Sequence, residues 1–380
     1  MQKKALQLAS VASMIDLFNA DNIKILRSLG YSVDVATNFE EGSITSQARV
    51  DEYRNELNQQ GVRTFQIPIP RSIKKIGNIL KSYKMVKSLV EKENYQIVHC
   101  HSPIGGVICR LACRNARKSG TKVIYTAHGF HFFKGASKAA WLIYYPIEKW
   151  CSKYTDVLIS INQEDYNNAK KMKAKCVEYV PGIGIHTEEI ANTVVNRKAM
   201  RASFGFTDND FVFMSTGQIS VRKNHEVIIR AFAKIQNESV KYLIVGFGEE
   251  QERLKRLVDE LGLKNRVVFA GYRKNVKEIL HAVDAFVFPS LQEGLPVALM
   301  EAMAAGLPVV CSKIRGNTDL IENGKGGYLY DCYDVDGFAD GMKKIVSGEI
   351  SEMGIINQNT MQMFDVKRVC EKMTELYSSL

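Results

Sequence analysis

Residues 284–301 read DAFVFPSLQEGLPVALME, the most informative segment of the chain. The first seven residues are mostly apolar and prone to β structure. Pro296 suits the first turn of a helix, where its missing N–H costs nothing, and good helix formers follow it. The segment therefore predicts a strand, a short loop that carries Glu293, and a helix that carries Glu301.

Two carboxylates beside the start of a helix have a definite chemical use. A helix N-terminus attracts phosphate through its free N–H groups and its dipole. Carboxylates accept strong hydrogen bonds from the hydroxyls of sugars and ribose. The positions of Glu293 and Glu301 therefore indicate a site for a nucleotide sugar.

Short β-branched runs alternate with segments of helical length, which favours parallel sheets with helices on both faces. We therefore expect an α/β protein of two Rossmann-like, doubly wound domains facing across a cleft. The expected domains are residues 1–185 and 186–362, followed by an amphipathic helix at 363–380 that can pack back on the first domain. The predicted strands are Leu6–Ala9, Ser32–Thr37, Thr64–Ile67, Ile97–Cys100, Lys122–Thr126, Val157–Ile161, Val177–Val180, Phe211–Thr216, Tyr242–Val245, Val267–Ala270, Ala285–Phe288 and Pro308–Cys311.

Composition and net charge limit the classes of ligand that the protein is expected to bind. The 380 residues are 46% hydrophobic and carry a net charge of +10. Such a charge suits nucleic acid, an anionic membrane or phosphorylated ligands. Because the chain has no nucleic-acid motif, we expect a phosphorylated ligand and acidic lipid, and no nucleic acid. The eight cysteines form no C-x-x-C pair, and no run of about 20 apolar residues is present, so we expect a reduced, cytoplasmic chain without a spanning helix.

The loop Gly217–His225 (GQISVRKNH) carries two cations between a predicted strand and a predicted helix. Arg222 and Lys223 can neutralise a pyrophosphate leaving group there. The alternative is a solvated loop with surface cations. Gly246 ends another strand and permits close approach of the backbone to a ligand. The chain has no G-x-G-x-x-G followed by a suitably placed acidic residue, which argues against a nicotinamide dehydrogenase.

Histidines cluster near two other strand ends. His128 precedes Gly129 and can present its ring to the cleft, or it can be a core histidine bonded to backbone. His99 and His101, together with His128 and His131, raise the possibility of a zinc site. Their spacings lack the pattern of specific metal motifs, so we expect no metal.

A basic amphipathic segment spans Arg71–Lys92, with apolar residues at helical spacing. Such a helix can lie on an anionic membrane, although it can equally be an ordinary surface helix. The aromatic segment Trp141–Trp150 can serve as an interfacial anchor or simply pack in the core.

Four segments together resemble a known family. EGLPVALMEAMAAGLPVV, from Glu293 onward, resembles the E-x7-E signature of family 4 retaining glycosyltransferases, and RGNTDLIENGKGGYL (Arg315–Leu329) resembles the element after it. The segments at 99–136 and 156–169 closely resemble a bacterial subgroup that acts in capsular polysaccharide and exopolysaccharide assembly. The resemblance covers essentially the whole chain. It implies the GT-B fold, with the acceptor on the first domain and the nucleotide-sugar donor mostly on the second.

The resemblance also implies roles for individual residues. Lys223 would hold the donor diphosphate, Glu293 the donor sugar and Glu301 the ribose. His128 would lie near the transferred sugar, so the implied catalytic set is His128, Lys223 and Glu293. The implied donor-binding set is Gln218, Arg222, Lys223, Gly246, Gly271, Tyr272, Arg273, Glu293, Gly294, Leu295, Val297 and Glu301.

Two positions depart from the family pattern. Gln218 stands where many members have an arginine, so Arg222 and Lys223 would supply the phosphate charge. The glycine-rich loop common after the first strand is replaced by Ser10-Val11-Ala12-Ser13. Contacts to the acceptor near the N-terminus therefore do not carry over.

We therefore expect a retaining hexosyltransferase that moves a sugar from a nucleotide sugar, with UDP favoured, to a polyprenyl-diphosphate-linked saccharide. The resemblance suggests attack on the front face, with neither glutamate as nucleophile. No cofactor or metal is expected, and the protein is expected on the inner face of the cell membrane as a peripheral protein. The alternatives are a sugar-nucleotide epimerase of related fold and a non-catalytic protein that binds nucleotide sugars.

Overall fold

A computed structural model describes residues 2–348 and 352–380 and divides them into two compact units. The first unit contains the residues up to Gly184 together with Lys367–Leu380. The second unit contains Ile185–Val366. None of the helices in these described ranges has both the length and the apolar character needed to cross a bilayer.

The first unit alternates strands and helices from its first residues. Its strands are β1 (Lys3–Val11), β2 (Tyr31–Asn38), β3 (Arg63–Gln66), β4 (Ile97–His101), β5 (Lys122–Ala127), β6 (Val157–Ser160) and β7 (Cys176–Tyr179). Its helices are α1 (Ala12–Phe18), α2 (Ala20–Ser28), α3 (Gln47–Gln59), α4 (Ile76–Glu93), α5 (Pro103–Ala112), α6 (Arg114–Lys118), α7 (Lys138–Cys151) and α8 (Gln163–Ala169), with a 3₁₀ turn at Ser152–Tyr154.

The seven strands form one parallel sheet in the order β3-β2-β1-β4-β5-β6-β7. Helices α1 to α3 pack on one face, and α4, α5 and α7 pack on the other. Because both faces are covered, the central strands are buried almost throughout. The C-terminal helix, residues Val366–Ser378, packs on the α1–α3 face through Val369, Met373, Leu376 and Tyr377.

The second unit repeats the plan with six strands. They are β8 (Phe211–Thr216), β9 (Val240–Val245), β10 (Val267–Gly271), β11 (Ala285–Phe288), β12 (Val309–Ser312) and β13 (Gly327–Tyr330). Its helices are α9 (Thr187–Ala191), α10 (Arg197–Ala202), α11 (His225–Phe232), α12 (Gln251–Glu260), α13 (Val276–Leu280), α14 (Val297–Ala304), α15 (Asn317–Leu320), α16 (Val335–Ser347) and α17 (Met353–Met361), and the C-terminal helix is α18. Two 3₁₀ turns lie at Val221–Lys223 and Gln362–Phe364.

The second sheet is also parallel, in the order β10-β9-β8-β11-β12-β13. Helices α11, α12 and α16 cover one face, and α14 lies with α9 and α17. The expected fold class is therefore confirmed. The short strand β13 was not predicted, because it begins at a glycine and is only four residues long.

A buried ion pair joins helix α7 to helix α5 of the same unit. Arg110 on α5 lies 2.8 Å from the Glu148 carboxylate, and neither side chain is more than 8% exposed. The contact is an ion pair rather than an aligned hydrogen bond. The Arg110 guanidinium also lies 4.0 Å from the centroid of the Tyr125 ring, and the Tyr125 hydroxyl donates to Glu148 at 3.3 Å.

We expect Glu148→Ala to lower the free energy of unfolding by about 3 kcal/mol, because it leaves the Arg110 charge buried without its partner. Urea denaturation followed by tryptophan fluorescence measures this, since both tryptophans of the chain lie on α7. The control is Glu52→Ala, whose side chain is 65% exposed, and which should change stability by no more than about 0.5 kcal/mol. Equal effects of the two substitutions would contradict the role of the pair.

Candidate active site

The candidate donor residues of the second unit lie at the ends of adjacent strands. Parallel strands end at the same edge of a sheet, and β8, β9, β10 and β11 all lead into loops that carry these residues. The chain runs outward from β8 to β10 and then returns to β11, on the other side of β8. Ligands of open α/β sheets bind at such a reversal of strand order. Lys223, which follows β8, and Glu293, which follows β11, flank this point.

Glu293 brings two cations together. Its Oε1 atom lies 2.8 Å from Lys223 Nζ and 2.8 Å from Arg222 Nη1. The backbone N–H of Leu291 donates to the carbonyl of Arg222 at 2.8 Å, so the two loops are also joined through the main chain. Lys223 Nζ lies 4.5 Å from the centroid of the Phe288 ring at the end of β11. The predicted group of Arg222, Lys223 and Glu293 is thus in direct contact.

Burial shifts the pKa values of Lys223 and Glu301. It lowers the pKa of Lys223, while the adjacent Glu293 acts in the opposite direction. Burial also raises the pKa of Glu301 on α14. Among the residues that the structure describes, the Glu301 carboxylate has no hydrogen-bond partner. A partly buried carboxylate of this kind favours a ligand that donates hydrogen bonds, such as a pair of hydroxyls.

Helix α14 begins directly after the Glu293 loop. Met300 makes the first helical bond, to the carbonyl of Pro296. The N–H groups of the first turn, including that of Val297, therefore have no acceptor within the helix. Leu295 is buried beneath the loop, whereas Gly294 and Val297 are partly exposed. The loop can thus offer backbone donors and a positive dipole end to an anion.

Two residues after β12 support this loop, and neither was predicted to belong to the site. Arg315 donates from Nε to the carbonyl of Glu293 at 2.9 Å. Gly316 has φ +81°, and a Cβ atom there would lie 2.4 Å from the carbonyl oxygen of Gly294. The available signal was the Arg-Gly pair just beyond a strand that neighbours β11. Its meaning depends on the pairing of β11 with β12.

Glycines allow the loops after β8, β9 and β10 to pack closely. Gly246 has φ +143°, and a Cβ atom there would lie 1.9 Å from the carbonyl oxygen of Gly217. Its N–H donates to the carbonyl of Gly271 at 2.9 Å, and the N–H of Gly217 donates to Val245. A side chain at position 246 would therefore separate the loops of the candidate site.

The remaining predicted donor residues lie on the exposed part of this edge. Tyr272 is exposed and meets the exposed ring of Phe247 edge to face at 6.2 Å. The guanidinium of Arg273 lies 5.5 Å from the centroid of the Phe204 ring. Gln218 donates to Glu249 at 3.1 Å and does not contact the Glu293 group. The aromatic pair is suited to stacking on a flat ligand group.

The first unit carries a separate cavity, of about 520 Å³, at its own reversal of strand order between β1 and β4. His128, which follows β5, lines it together with Ser10, Ser102, Arg71 and Tyr144. His128 is only partly exposed, and its Nε2 atom lies 3.1 Å from His101 Nδ1. Its ring therefore faces a cavity and bonds to a side chain, rather than being a core histidine bonded to backbone.

The glycine-rich loop that the family has after its first strand is absent here, and two glycines of α5 allow close packing at the end of β1. Gly105 lies against the first loop, where an added Cβ atom would be 3.1 Å from Ser10 Oγ. Its N–H also donates to Ser10 Oγ at 3.1 Å. At Gly106 a Cβ atom would lie 2.4 Å from the ring of Tyr125. Close approach at this strand end is thus achieved by a serine on β1 and by glycines on α5, the helix that follows β4.

None of the described side chains forms a group of three or more histidine, cysteine, aspartate or glutamate residues placed to hold a metal ion. His99, His101 and His128 instead contact one another.

Two doubly wound units, with a cation and carboxylate cluster at the strand reversal of the second, define a nucleotide-dependent transferase of the GT-B class. The family described as Glycosyl transferases group 1 matches residues 196–362, and the family described as Glycosyl transferase 4-like matches residues 8–162. The chain belongs to this glycosyltransferase family, as the sequence resemblance implied, and uses a nucleotide sugar.

Relatives extend over the full length of the chain. It is 34% identical over 386 aligned positions to the putative glycosyltransferase EpsD of Bacillus subtilis, covering 100% of this chain and 97% of the relative. It is 32% identical to the UDP-Gal:alpha-D-GlcNAc-diphosphoundecaprenol alpha-1,3-galactosyltransferase of Escherichia coli, covering 83% and 84%. The crystal structure of Anabaena Alr3699/HepE in complex with UDP-glucose has the same fold, with a TM-score of 0.78, 20% identity and coverage of 99% and 100%.

We expect Gly246→Ala to weaken nucleotide binding, measured with UDP as the probe, and to lower the free energy of unfolding by about 2 kcal/mol, because the new methyl group overlaps Gly217. Titration calorimetry with UDP and urea denaturation measure the two effects. Gly262→Ala is the matched control, since Gly262 also has positive φ but has nothing within 4 Å of an added Cβ atom. It should cost about 1 kcal/mol and leave UDP affinity unchanged. If Gly246→Ala binds UDP as the wild type does, the close approach is unimportant for the nucleotide.

Proposed function

We propose that this chain transfers a hexose, with retention of anomeric configuration, from a UDP-linked donor to a polyprenyl-diphosphate-linked saccharide in surface polysaccharide assembly. The observation that carries the proposal is the contact of Lys223 and Arg222 with Glu293, directly before the N-terminus of α14. The name of the Escherichia coli relative, a diphosphoundecaprenol galactosyltransferase, supports the lipid-linked acceptor. The resemblance of residues 99–136 and 156–169 to the polysaccharide-assembly subgroup supports the polysaccharide role.

The cluster suits departure of a nucleoside diphosphate. With no donor bound, Glu293 neutralises the two cations. A diphosphate at the start of α14 takes over Lys223 and Arg222, and the Glu293 carboxylate can then accept hydrogen bonds from the donor sugar. Glu301 accepts hydrogen bonds from the ribose. Because two side chains and a helix terminus supply positive charge, we propose that the reaction needs no divalent metal.

Retention follows from attack on the face that the diphosphate leaves. The bond from the anomeric carbon to the diphosphate oxygen breaks, and the acceptor hydroxyl oxygen bonds to the same face. The hydroxyl proton passes to the departing phosphate oxygen. This front-face route needs no protein nucleophile, and in it Glu293 accepts hydrogen bonds from the donor sugar.

The surface of the first unit supports a lipid acceptor and an anionic membrane surface. Arg71, Ser72 and Ile73 line the cavity from the segment before α4, and Tyr144 lines it from α7. Both elements expose large apolar side chains next to lysines. These side chains are Ile73, Ile76, Leu80, Leu142, Ile143, Ile147 and Trp150. Such a surface suits an interfacial protein, with cations for acidic headgroups and apolar groups for the acyl boundary.

An epimerase of related fold is the enzymatic alternative, and none of the relatives described above supports it. An epimerase consumes the nucleotide sugar without an acceptor. A protein that only binds nucleotide sugars releases no nucleoside diphosphate. Acceptor-dependent release of UDP separates the proposal from both.

A panel of UDP- and GDP-sugars should be tested with polyprenyl-diphosphate-linked saccharides in the presence of EDTA, with NMR of the product to assign the anomer. We expect acceptor-dependent release of UDP and a retained anomer. Lys223→Ala should lower turnover by about 10²-fold, the scale of one preorganised charge contact. Lys234→Ala is the control, since Lys234 pairs with the exposed Asp336. Near-normal turnover in Lys223→Ala, or equal loss in both variants, would refute the role of the cluster.

We expect Leu142→Glu to reduce binding to phosphatidylglycerol vesicles at low salt by at least about tenfold. The substitution removes an apolar side chain that would insert into the bilayer, and it adds a negative charge that the anionic lipid repels. Leu142 is 76% exposed, so folding should be unaffected. Val194→Glu, at a 93% exposed valine of the second unit, is the control and should bind as the wild type does. Vesicle sedimentation measures both. Wild-type protein that stays in the supernatant would overturn the membrane proposal.

A further inference from the structure

A chain of polar side chains crosses the apolar interior of the first unit. It begins at His128 beside the cavity, passes through the C-terminal helix and ends at Thr126 on β5, the strand that His128 follows. All its members except His128 are buried. They are Gln7 on β1, His99 and His101 on β4, Thr126 on β5 and Tyr377 on α18. These are unusual residues for the central strands of a parallel sheet, which are normally apolar on both faces.

The first half of this hydrogen-bond network joins His128 to β1. His128 Nε2 lies 3.1 Å from His101 Nδ1, and His101 Nε2 lies 3.1 Å from Gln7 Oε1. Gln7 pairs with His99 in the register of β1 and β4, and His101 pairs with Thr126 in the register of β4 and β5. The parallel register therefore places these side chains next to one another.

The second half joins Gln7 to the C-terminal helix and returns to the sheet. Gln7 Nε2 donates to the Tyr377 hydroxyl at 3.3 Å. The same hydroxyl lies 2.6 Å from His99 Nδ1, and His99 Nε2 lies 2.7 Å from Thr126 Oγ1. Every ring nitrogen of His99 and His101 has a partner, so the network is satisfied along its length.

Burial favours the neutral form of all three rings. Burial lowers the pKa of His99 to about 3 and that of His128 to about 4, and it lowers the pKa of His101 well below the usual value. A neutral imidazole has one N–H and one bare nitrogen. If one ring nitrogen donates a hydrogen bond, the other must accept one, so the role of one nitrogen determines the role of the other.

Gln7 sets that direction, because its amide oxygen can only accept and its amide nitrogen can only donate. The oxygen faces His101, so His101 carries its proton on Nε2 and presents a bare Nδ1. His128 must then donate from Nε2. On the other side, Tyr377 accepts from Gln7 and donates to His99 Nδ1.

The geometry assigns to Gln7, His101 and Tyr377 the role of positioning residues that hold His128 in its Nε2–H tautomer. The bare Nδ1 of His128 is thereby left to accept a hydrogen bond from a ligand hydroxyl at the cavity. Among the described residues, Nδ1 has no protein partner, and the ring lines the cavity. The hydroxyl belongs to a sugar, an identification that rests on the proposed function. The tautomer itself does not rest on it.

Histidine ¹⁵N NMR of the full chain tests the tautomer without any enzymatic activity. The chain has seven histidines, and the spectrum of His128→Asn identifies the resonances of His128. Protonated and bare ring nitrogens have well-separated shifts. We expect His128 in the wild type to be protonated at Nε2 and bare at Nδ1. A proton on Nδ1 would overturn the assignment.

Tyr377→Phe tests the positioning role. It removes the acceptor for the Gln7 amide N–H and the donor to His99, so Gln7 is free to turn over. We expect His128 to show both tautomers and kcat to fall about tenfold, on the scale of losing a partner that orients a functional histidine.

Tyr53→Phe is the matched control. Tyr53 is a buried tyrosine of the same core on α3, and its hydroxyl has no hydrogen-bond partner among the described residues. It should leave both the His128 tautomer and kcat unchanged. If Tyr377→Phe alters neither quantity, or if both variants lower kcat equally with no change of tautomer, the positioning role is wrong. If the chain transfers no sugar, the proposed function fails while the NMR result still decides the tautomer.

Discussion

The contact of Lys223 with Glu293 joins the loops that follow β8 and β11. These strands are distant in sequence and adjacent in the sheet, because the chain completes β9 and β10 before it returns. A partly buried ammonium group needs an opposite charge, and Glu293 supplies it when no ligand is bound. In the proposed function, Lys223 and Arg222 bind a diphosphate at the start of α14.

In the first unit, too, buried polar groups need partners inside the protein, but these groups are neutral. Its sheet is covered on both faces, so a polar side chain on a central strand must find a partner inside the protein. Gln7 and His101 meet this requirement through each other, and Tyr377 from α18 completes the bonding of Gln7. The C-terminal helix therefore contributes to the setting of His128 as well as to the core. Each unit places its polar groups at the reversal of strand order, where the loops diverge and leave space for a ligand.

Much of the fold was predictable because its signals are local. The apolar run before Pro296 and the helix formers after it identify β11 and α14 from a few neighbouring residues. Strand β13 escaped prediction, because Gly327–Tyr330 is short and depends on pairing with β12 for its recognition. In the site, Glu293 and Lys223 were predictable from motifs. Arg315 and Gly316 were not, because their role is to support a loop that precedes them by about 20 residues and is brought close by the sheet.

Local chemistry along the chain determined the alternation of strand and helix, the glycosyltransferase family and the residue types of the candidate donor site. These depend on hydrophobic period, turn residues and short motifs, which act over a few residues. The order of strands, the meeting of Lys223 with Glu293 and the network from His128 to Tyr377 arose only when the sheets assembled. Gln7 and Tyr377 are 370 positions apart, and no local pattern relates them. Their contact exists because parallel register and helix packing bring together side chains that would be too costly to bury alone.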